Sequence, residues 1–126
     1  MLTRILEFFG SRRQRGAQAY QASEFTFVGE QDGPVEQQLK AKWTPVLREC
    51  GVARAYLAQV QFPGKTGPSV VLAMSRGVRP ESGIVAALVP VFKSIMAGDE
   101  FVDMMFLNSE QERNVSSVCR SFLHAA

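Results

Sequence analysis

The sequence is poor in the residue types that build active sites, since its 126 residues include one histidine and two cysteines. Two cysteines, Cys50 and Cys119, are too few for a disulfide-stapled secreted scaffold. Each falls on the apolar stripe of a predicted helix, so we expect two buried free thiols, although a disulfide between them stays open. No apolar run approaches the roughly 18 residues of a membrane-spanning helix.

The chain also lacks a large excess of positive or negative charge, since it has 14 Lys and Arg and 12 Asp and Glu, for a net charge of +2. The small excess lies in the first 16 residues, where four arginines accompany one glutamate. The rest of the chain has no excess of basic residues of the kind that binds nucleic acid. With 46% apolar and 21% charged residues, the composition is that of one soluble globular domain. Since the N-terminus does not have the pattern of a cleavable signal peptide, we expect a cytoplasmic protein.

An apolar stripe opens the chain. Its members recur at helical spacing, which predicts a short amphipathic helix ending at Gly10: Leu2, Ile5, Leu6 and Phe9. A basic, polar linker follows, so we divide the chain into residues 1–22 and a single domain at 23–126. We interpret the stripe as an interaction surface that contacts protein, either its own domain or a second chain. The less favoured alternatives are a disordered segment and a membrane surface, the latter because the stripe covers only about two turns.

Hydrophobic periodicity predicts an α+β domain. Alternation or short apolar runs predict strands, and apolar residues spaced by three and four predict helices. The predicted strands are residues 23–28, 53–62, 69–75 and 100–107, and the predicted helices are 35–50, 80–98 and one that begins with a capping box at Ser109 and Glu112. The order β-α-β-β-α-β-α matches a ferredoxin-like, split βαβ pattern followed by a C-terminal helix.

That pattern makes specific predictions about a mixed or antiparallel sheet of three to four strands. The first and third strands would be central, and the second would lie at an edge, as its glutamines indicate. The third strand has the continuous apolar run of residues 70–74, which predicts cover on both faces. We expect the two long helices to cover one face and the last helix to cover part of the other.

Motifs for catalysis, nucleotides and metals are weak. Gly64-Lys65-Thr66 resembles the end of a phosphate loop, but Gln59 stands where that motif requires glycine, and the segment joins two strands. His124, the only histidine, lies near the end of the chain, where histidines are usually solvated. No cluster has metal-ligand spacing. We therefore predict no catalytic, cofactor-binding or metal-binding residues, and no cofactor.

Asp103 interrupts an otherwise apolar strand. A buried, unpaired carboxylate is costly, so this side chain is expected to be paired, capped or exposed. Its functional interpretation is a polar anchor in a binding cleft, and the more favoured alternative is a structural carboxylate at a strand end.

Three segments together resemble the C-terminal domain of the enhanced serine sensitivity protein (SseB) family. They are Arg54-Ala55-Tyr56-Leu57-Ala58, Val102-Asp103 and Val118-Cys119-Arg120-Ser121-Phe122. The resemblance covers roughly residues 34–122, and the family pattern tends to have proline where this chain has Ser121. It implies a soluble bacterial protein without an assigned reaction. It also marks Tyr56, with Asp103, as a matching position and candidate polar anchor.

These observations favour a non-enzymatic protein-interaction or regulatory module that binds a partner protein or associates with itself. The alternative is a small-ligand domain that senses an amino acid. It is suggested by the name of the similar family and by analogy with other ferredoxin-like domains.

Overall fold

A computed structural model describes residues 25–64, 66–96 and 102–123. The N-terminal stripe of Leu2, Ile5, Leu6 and Phe9 lies outside these residues, as does His124. Within them the elements follow the predicted order, which confirms an α+β fold: β1 (Thr26–Glu30), α1 (Pro34–Glu49), β2 (Ala55–Gln61), β3 (Ser69–Met74), α2 (Glu81–Ile95), β4 (Asp103–Phe106) and α3 (Ser109–Ser116).

The two long helices form where the apolar spacing places them. Helix α1 buries Leu39, Trp43 and Leu47 on one stripe and continues through Pro45. It is followed by Gly51, whose φ of 80° is the left-handed conformation expected of a glycine at this position. Helix α2 likewise buries one stripe and contains a proline in its interior. None of the helices in the described ranges is long and apolar enough to cross a membrane.

The four strands form one mixed sheet in the order β1-β2-β3-β4. Both β1–β2 and β2–β3 are antiparallel, whereas β3–β4 is parallel. The ferredoxin-like strand order is therefore wrong for this chain. Strand β3 is central as predicted, but β2 is central rather than at an edge, and β1 is at an edge rather than central.

Burial on both faces explains why β2 is central. Tyr56, Ala58 and Val60 face one side, and Leu57, on the other side, is also fully buried. One of the glutamines that suggested an edge, Gln59, is half-buried, and its side-chain amide N–H donates to Oε1 of the Gln31 side chain at 3.0 Å. A paired amide is compatible with a central strand, since its polar groups are satisfied.

Two apolar clusters sandwich the sheet. The first lies between the sheet and the two long helices, with Leu39, Trp43, Leu57, Leu72, Ile84 and Leu88 fully buried. Trp43 joins α1 to α2 by donating its indole N–H to the Leu88 carbonyl at 3.1 Å. The second cluster covers the opposite face, which we call the second face: Phe25, Phe27, Tyr56, Ala58, Val60, Phe62, Val71, Ala73, Leu107, Val115 and Cys119. Val115 comes from α3, so the prediction that the last helix covers part of this face is confirmed.

The ends of several elements differ from the sequence predictions. Strand β1 extends to Glu30, and its register with β2 shifts between Phe27 and Gly29, which is the signature of a β-bulge. Strand β4 is shorter than predicted, spanning Asp103–Phe106.

The cap of helix α3 lies one residue earlier than predicted, at Asn108, and the helix ends at Ser116. Its capping box is Asn108 with Gln111 rather than Ser109 with Glu112. Cys119, which we placed on the stripe of this helix, therefore belongs to a non-helical C-terminal segment, residues 117–123.

Candidate functional site

An open groove of about 690 Å³ lies between α1 and the C-terminal segment. Its lining comes from four separate stretches of the chain: Glu30, Gln37, Lys40, Ala41, Thr44, Tyr56, Ser116, Cys119, Arg120, Ser121 and Phe122. The groove therefore depends on the packing of α1, the ends of β1 and β2, and the residues that follow α3.

One wall is a single stripe of α1. Gln37, Lys40, Ala41 and Thr44 are spaced by three, one and three residues, which places them on one side of a helix. The Thr44 hydroxyl donates to the Lys40 carbonyl at 2.7 Å. Pro45 has no N–H, so the Ala41 carbonyl lacks its usual helical donor. This wall accordingly consists mainly of polar side chains, one of which is the nearly buried cation of Lys40.

An ion network crosses the groove. The Glu30 carboxylate accepts from Lys40 Nζ at 3.4 Å and from Arg120 Nε at 3.2 Å. Lys40 Nζ also lies 3.3 Å from Asp32 Oδ1. The side chain of Lys40 is only 10% exposed, whereas that of Arg120 is 85% exposed. Glu30 thus links β1 to both walls, and the buried ammonium has two carboxylates to compensate it.

The charge state of Glu30 follows from these contacts. Burial raises the pKa of Glu30, but hydrogen bonds from Arg120, together with the charge and hydrogen bond of Lys40, outweigh this effect. The net result is a pKa below the ordinary value of 4.5, so the carboxylate is ionised at neutral pH.

Hydrogen bonds to β2 hold the opposite wall. The Ser121 hydroxyl accepts the Ala55 N–H at 3.1 Å, and the Phe122 N–H donates to the Ala55 carbonyl at 2.9 Å. Here the serine fixes the C-terminal segment against the start of β2.

Two groups with acidic protons border the groove, and both are held in their neutral forms. Burial raises the pKa of Cys119 to about 11, and its thiol lies 3.6 Å from the Leu57 carbonyl oxygen. Burial also raises the pKa of Tyr56, as does the nearby charge of Glu112. The Tyr56 hydroxyl lies 3.5 Å from Glu112 Oε2, at the limit of a hydrogen bond. Neither group is a thiolate or phenolate at neutral pH.

The structure separates the two candidate polar anchors. Tyr56 lines the groove, whereas Asp103 does not. Asp103 is the first residue of β4, at the opposite edge of the sheet, where it is half-buried and opposite Val71 of β3. A charged residue on an edge strand is a common defence against edge-to-edge pairing.

Sequence reasoning did not find the ion network of Glu30, Lys40 and Arg120. The only signal available was the polar stripe of α1, which is indistinguishable from an ordinary solvated helix face. No group of three or more metal-ligating side chains occurs within residues 25–64, 66–96 and 102–123.

Comparison of the chain with protein-family models, with curated proteins and with solved structures gives no match.

Proposed function

We propose that this chain is a non-enzymatic binding module that holds a segment of a partner protein in the groove between α1 and the C-terminal segment. The observation that carries the proposal is the mutual neutralisation of the charged side chains there. Glu30 accepts from both Lys40 and Arg120, so these groups brace the walls of the groove.

The protonated state of Cys119 supports binding over nucleophilic catalysis. A thiol with a pKa of about 11 carries almost no thiolate at neutral pH, and the thiolate is the reactive form. Its place beside the Leu57 carbonyl fits a packing role for Cys119.

The hydrogen-bonding character of the walls fits an extended peptide. On the α1 wall, the exposed side-chain amide of Gln37 has an oxygen that can accept a peptide N–H. On the other side, the half-buried Phe122 supplies apolar contact and the exposed Arg120 supplies donors. A peptide backbone offers both donors and acceptors, and its side chains can cover the apolar part of the groove.

Site-specific photo-crosslinking in the source cells tests the proposal. A photoreactive phenylalanine analogue replaces Ala41, which lines the groove, or Gln38, which is exposed on the same helix outside it. We expect a discrete crosslinked protein from position 41 that is absent from position 38. The same crosslinked species from both positions, or none from position 41, would contradict the proposal.

A second candidate function is binding of a free amino acid. The groove volume of about 690 Å³ lies in the range typical of small-molecule sites. The guanidinium of Arg120, whose side chain is 85% exposed, suits the carboxylate of such a ligand. A ligand present at about 100 times its dissociation constant stabilises a protein by about 2.7 kcal/mol. Thermal unfolding in the presence of a panel of amino acids tests this candidate function. It requires that one amino acid raise the melting temperature of the parent protein and of Gln38→Arg, but not that of Ala41→Arg.

We also propose membership of the SseB family and a cytoplasmic location. Two of the segments that carry the family resemblance contact each other through the hydrogen bonds of Ala55 with Ser121 and Phe122. Cys50 and Cys119 are both buried and free, which is compatible with a reducing compartment.

A further inference from the structure

The groove lies where two separate segments of the chain attach to β2. The N–H of Gln31, the residue that follows β1, donates to the Leu57 carbonyl at 2.9 Å. The Phe122 N–H, from the C-terminal segment, donates to the Ala55 carbonyl at 2.9 Å. Tyr56 stands between these two attachment points in β2 and lines the groove. A segment bound in the groove therefore lies across the junction between the end of β1 and the C-terminal segment.

The charged side chains that line this junction differ in their accessibility. Two cations, Lys40 and Arg120, and one anion, Glu30, line the groove. The Lys40 ammonium is nearly buried and has the carboxylates of Glu30 and Asp32 within 3.4 Å, so it is already compensated. The side chain of Glu30 is 20% exposed, whereas that of Arg120 is 85% exposed. The most accessible charge of the groove lining is therefore the positive charge of Arg120.

Arg120 retains donors for a second carboxylate although it pairs with Glu30. Its contacts with Glu30 come from Nε at 3.2 Å and from one Nη at 3.4 Å. A guanidinium carries five N–H groups, and it binds carboxylates through two parallel N–H bonds. The exposure of the side chain leaves the further N–H groups accessible to a ligand. Arg120 can therefore hold Glu30 and a carboxylate of a bound segment at the same time.

We propose that the segment held in the groove is an acidic peptide, in which an Asp or Glu side chain pairs with Arg120 and a neighbouring apolar side chain packs on Phe122. This inference rests on the proposed function of the groove and specifies the chemistry of its partner. Phe122 is half-buried and lines the groove two residues from Arg120, so apolar surface and accessible positive charge lie on the same wall. A peptide with adjacent acidic and apolar residues complements both.

Selection of random displayed peptides on the full chain tests the inference and the proposed function separately. Peptides that bind the parent protein but not Ala41→Arg occupy the groove, because the arginine fills it. We expect these peptides to share an acidic residue next to an apolar one. Groove-binding peptides without a shared acidic residue would overturn the inference and leave the proposed function intact. No enrichment, or peptides that bind Ala41→Arg equally well, would overturn both.

Isothermal titration with one selected peptide, synthesised with both termini blocked, then tests Arg120 itself. We expect Arg120→Gln to weaken binding at least about threefold, and Arg120→Lys, which keeps the charge, to recover part of that loss. Arg113→Gln removes the same charge at an exposed position of α3 outside the groove, and it should stay within about twofold of the parent protein. Because Arg120 is mostly exposed, Arg120→Gln should keep the melting temperature within about 2 °C of that of the parent.

Two further titrations separate a direct charge pair from an indirect effect. Added salt should weaken binding to the parent protein more than binding to Arg120→Gln, because salt screens exposed charge pairs. Replacing the acidic residue of the peptide by its amide should weaken binding to the parent protein but not to Arg120→Gln. Equal affinities of Arg120→Gln and Arg113→Gln, or an equal effect of the peptide amide on the parent protein and on Arg120→Gln, would overturn the inference.

Discussion

Lys40 is the residue on which the geometry of the groove depends most. Its ammonium is nearly buried, and the two carboxylates beside it come from β1 and the loop that follows. Buried charges are tolerated when they are paired, and removing one partner leaves the others uncompensated. Lys40 therefore contributes more to the fold than its place in a polar helix stripe indicates.

Replacing Lys40 tests this role. We expect Lys40→Met to lower the free energy of unfolding by about 2 kcal/mol, since Arg120 still pairs with Glu30. Lys42→Met, at an exposed position of the same helix, should stay within about 0.5 kcal/mol of the parent protein. Urea denaturation measures both. Equal midpoints for the two variants would show that the buried ammonium contributes nothing specific.

Glu30 makes stability depend on pH in a predictable direction. Its pKa in the folded chain lies below the ordinary value of 4.5, so the unfolded chain binds the proton more readily. The stabilisation is fully present above pH 4.5 and is lost as the pH falls through the folded pKa. We expect the stability difference between the parent protein and Glu30→Gln to be largest at neutral pH and to shrink below pH 4.5. A difference that grows on acidification would contradict this assignment.

At the scale of elements, the start of α3 gives a sharp test because two adjacent residues compete for the same role. The Asn108 side chain accepts the Gln111 N–H at 2.8 Å, and the Gln111 side chain accepts the Asn108 N–H at 2.9 Å. We expect Asn108→Ala to cost about 1 kcal/mol of stability. Ser109→Ala should cost less than about 0.5 kcal/mol, since Ser109 is the first helical residue and is exposed. A larger loss of stability for Ser109→Ala than for Asn108→Ala would instead support Ser109, the residue predicted from sequence, as the cap.

Element types were predictable because they depend on local periodicity. The apolar spacing of Leu39, Trp43 and Leu47 predicts a helix with one buried side, and the apolar run of β3 predicts a strand that is buried on both faces. Strand order depends instead on pairing between distant segments, which no local pattern encodes. The glutamines of β2 misled the prediction because Gln59 finds its partner in Gln31, 28 residues away.

At the scale of the whole molecule, the sheet separates two apolar layers, and the groove lies where α1 meets the C-terminal segment. Its lining residues are spread from Glu30 to Phe122, so only the folded chain brings them together. Tyr56 was predicted as a candidate site residue from a family resemblance, whereas no pattern in the sequence marked Lys40 or Arg120 as one. Sequence reasoning detects functional residues that form a compact motif, and this groove has none.

The central claim is that the groove binds a partner, and the affinity for the protein captured at position 41 tests it most directly. Isothermal titration of that protein compares the parent chain with Ala41→Arg, which fills the groove, and with Gln38→Arg, which adds the same charge outside it. We expect Ala41→Arg to weaken binding by about tenfold or more, a loss of about 1.4 kcal/mol, and Gln38→Arg to leave it within about twofold. Equal affinities for the two variants would contradict the assignment of the groove as the binding site.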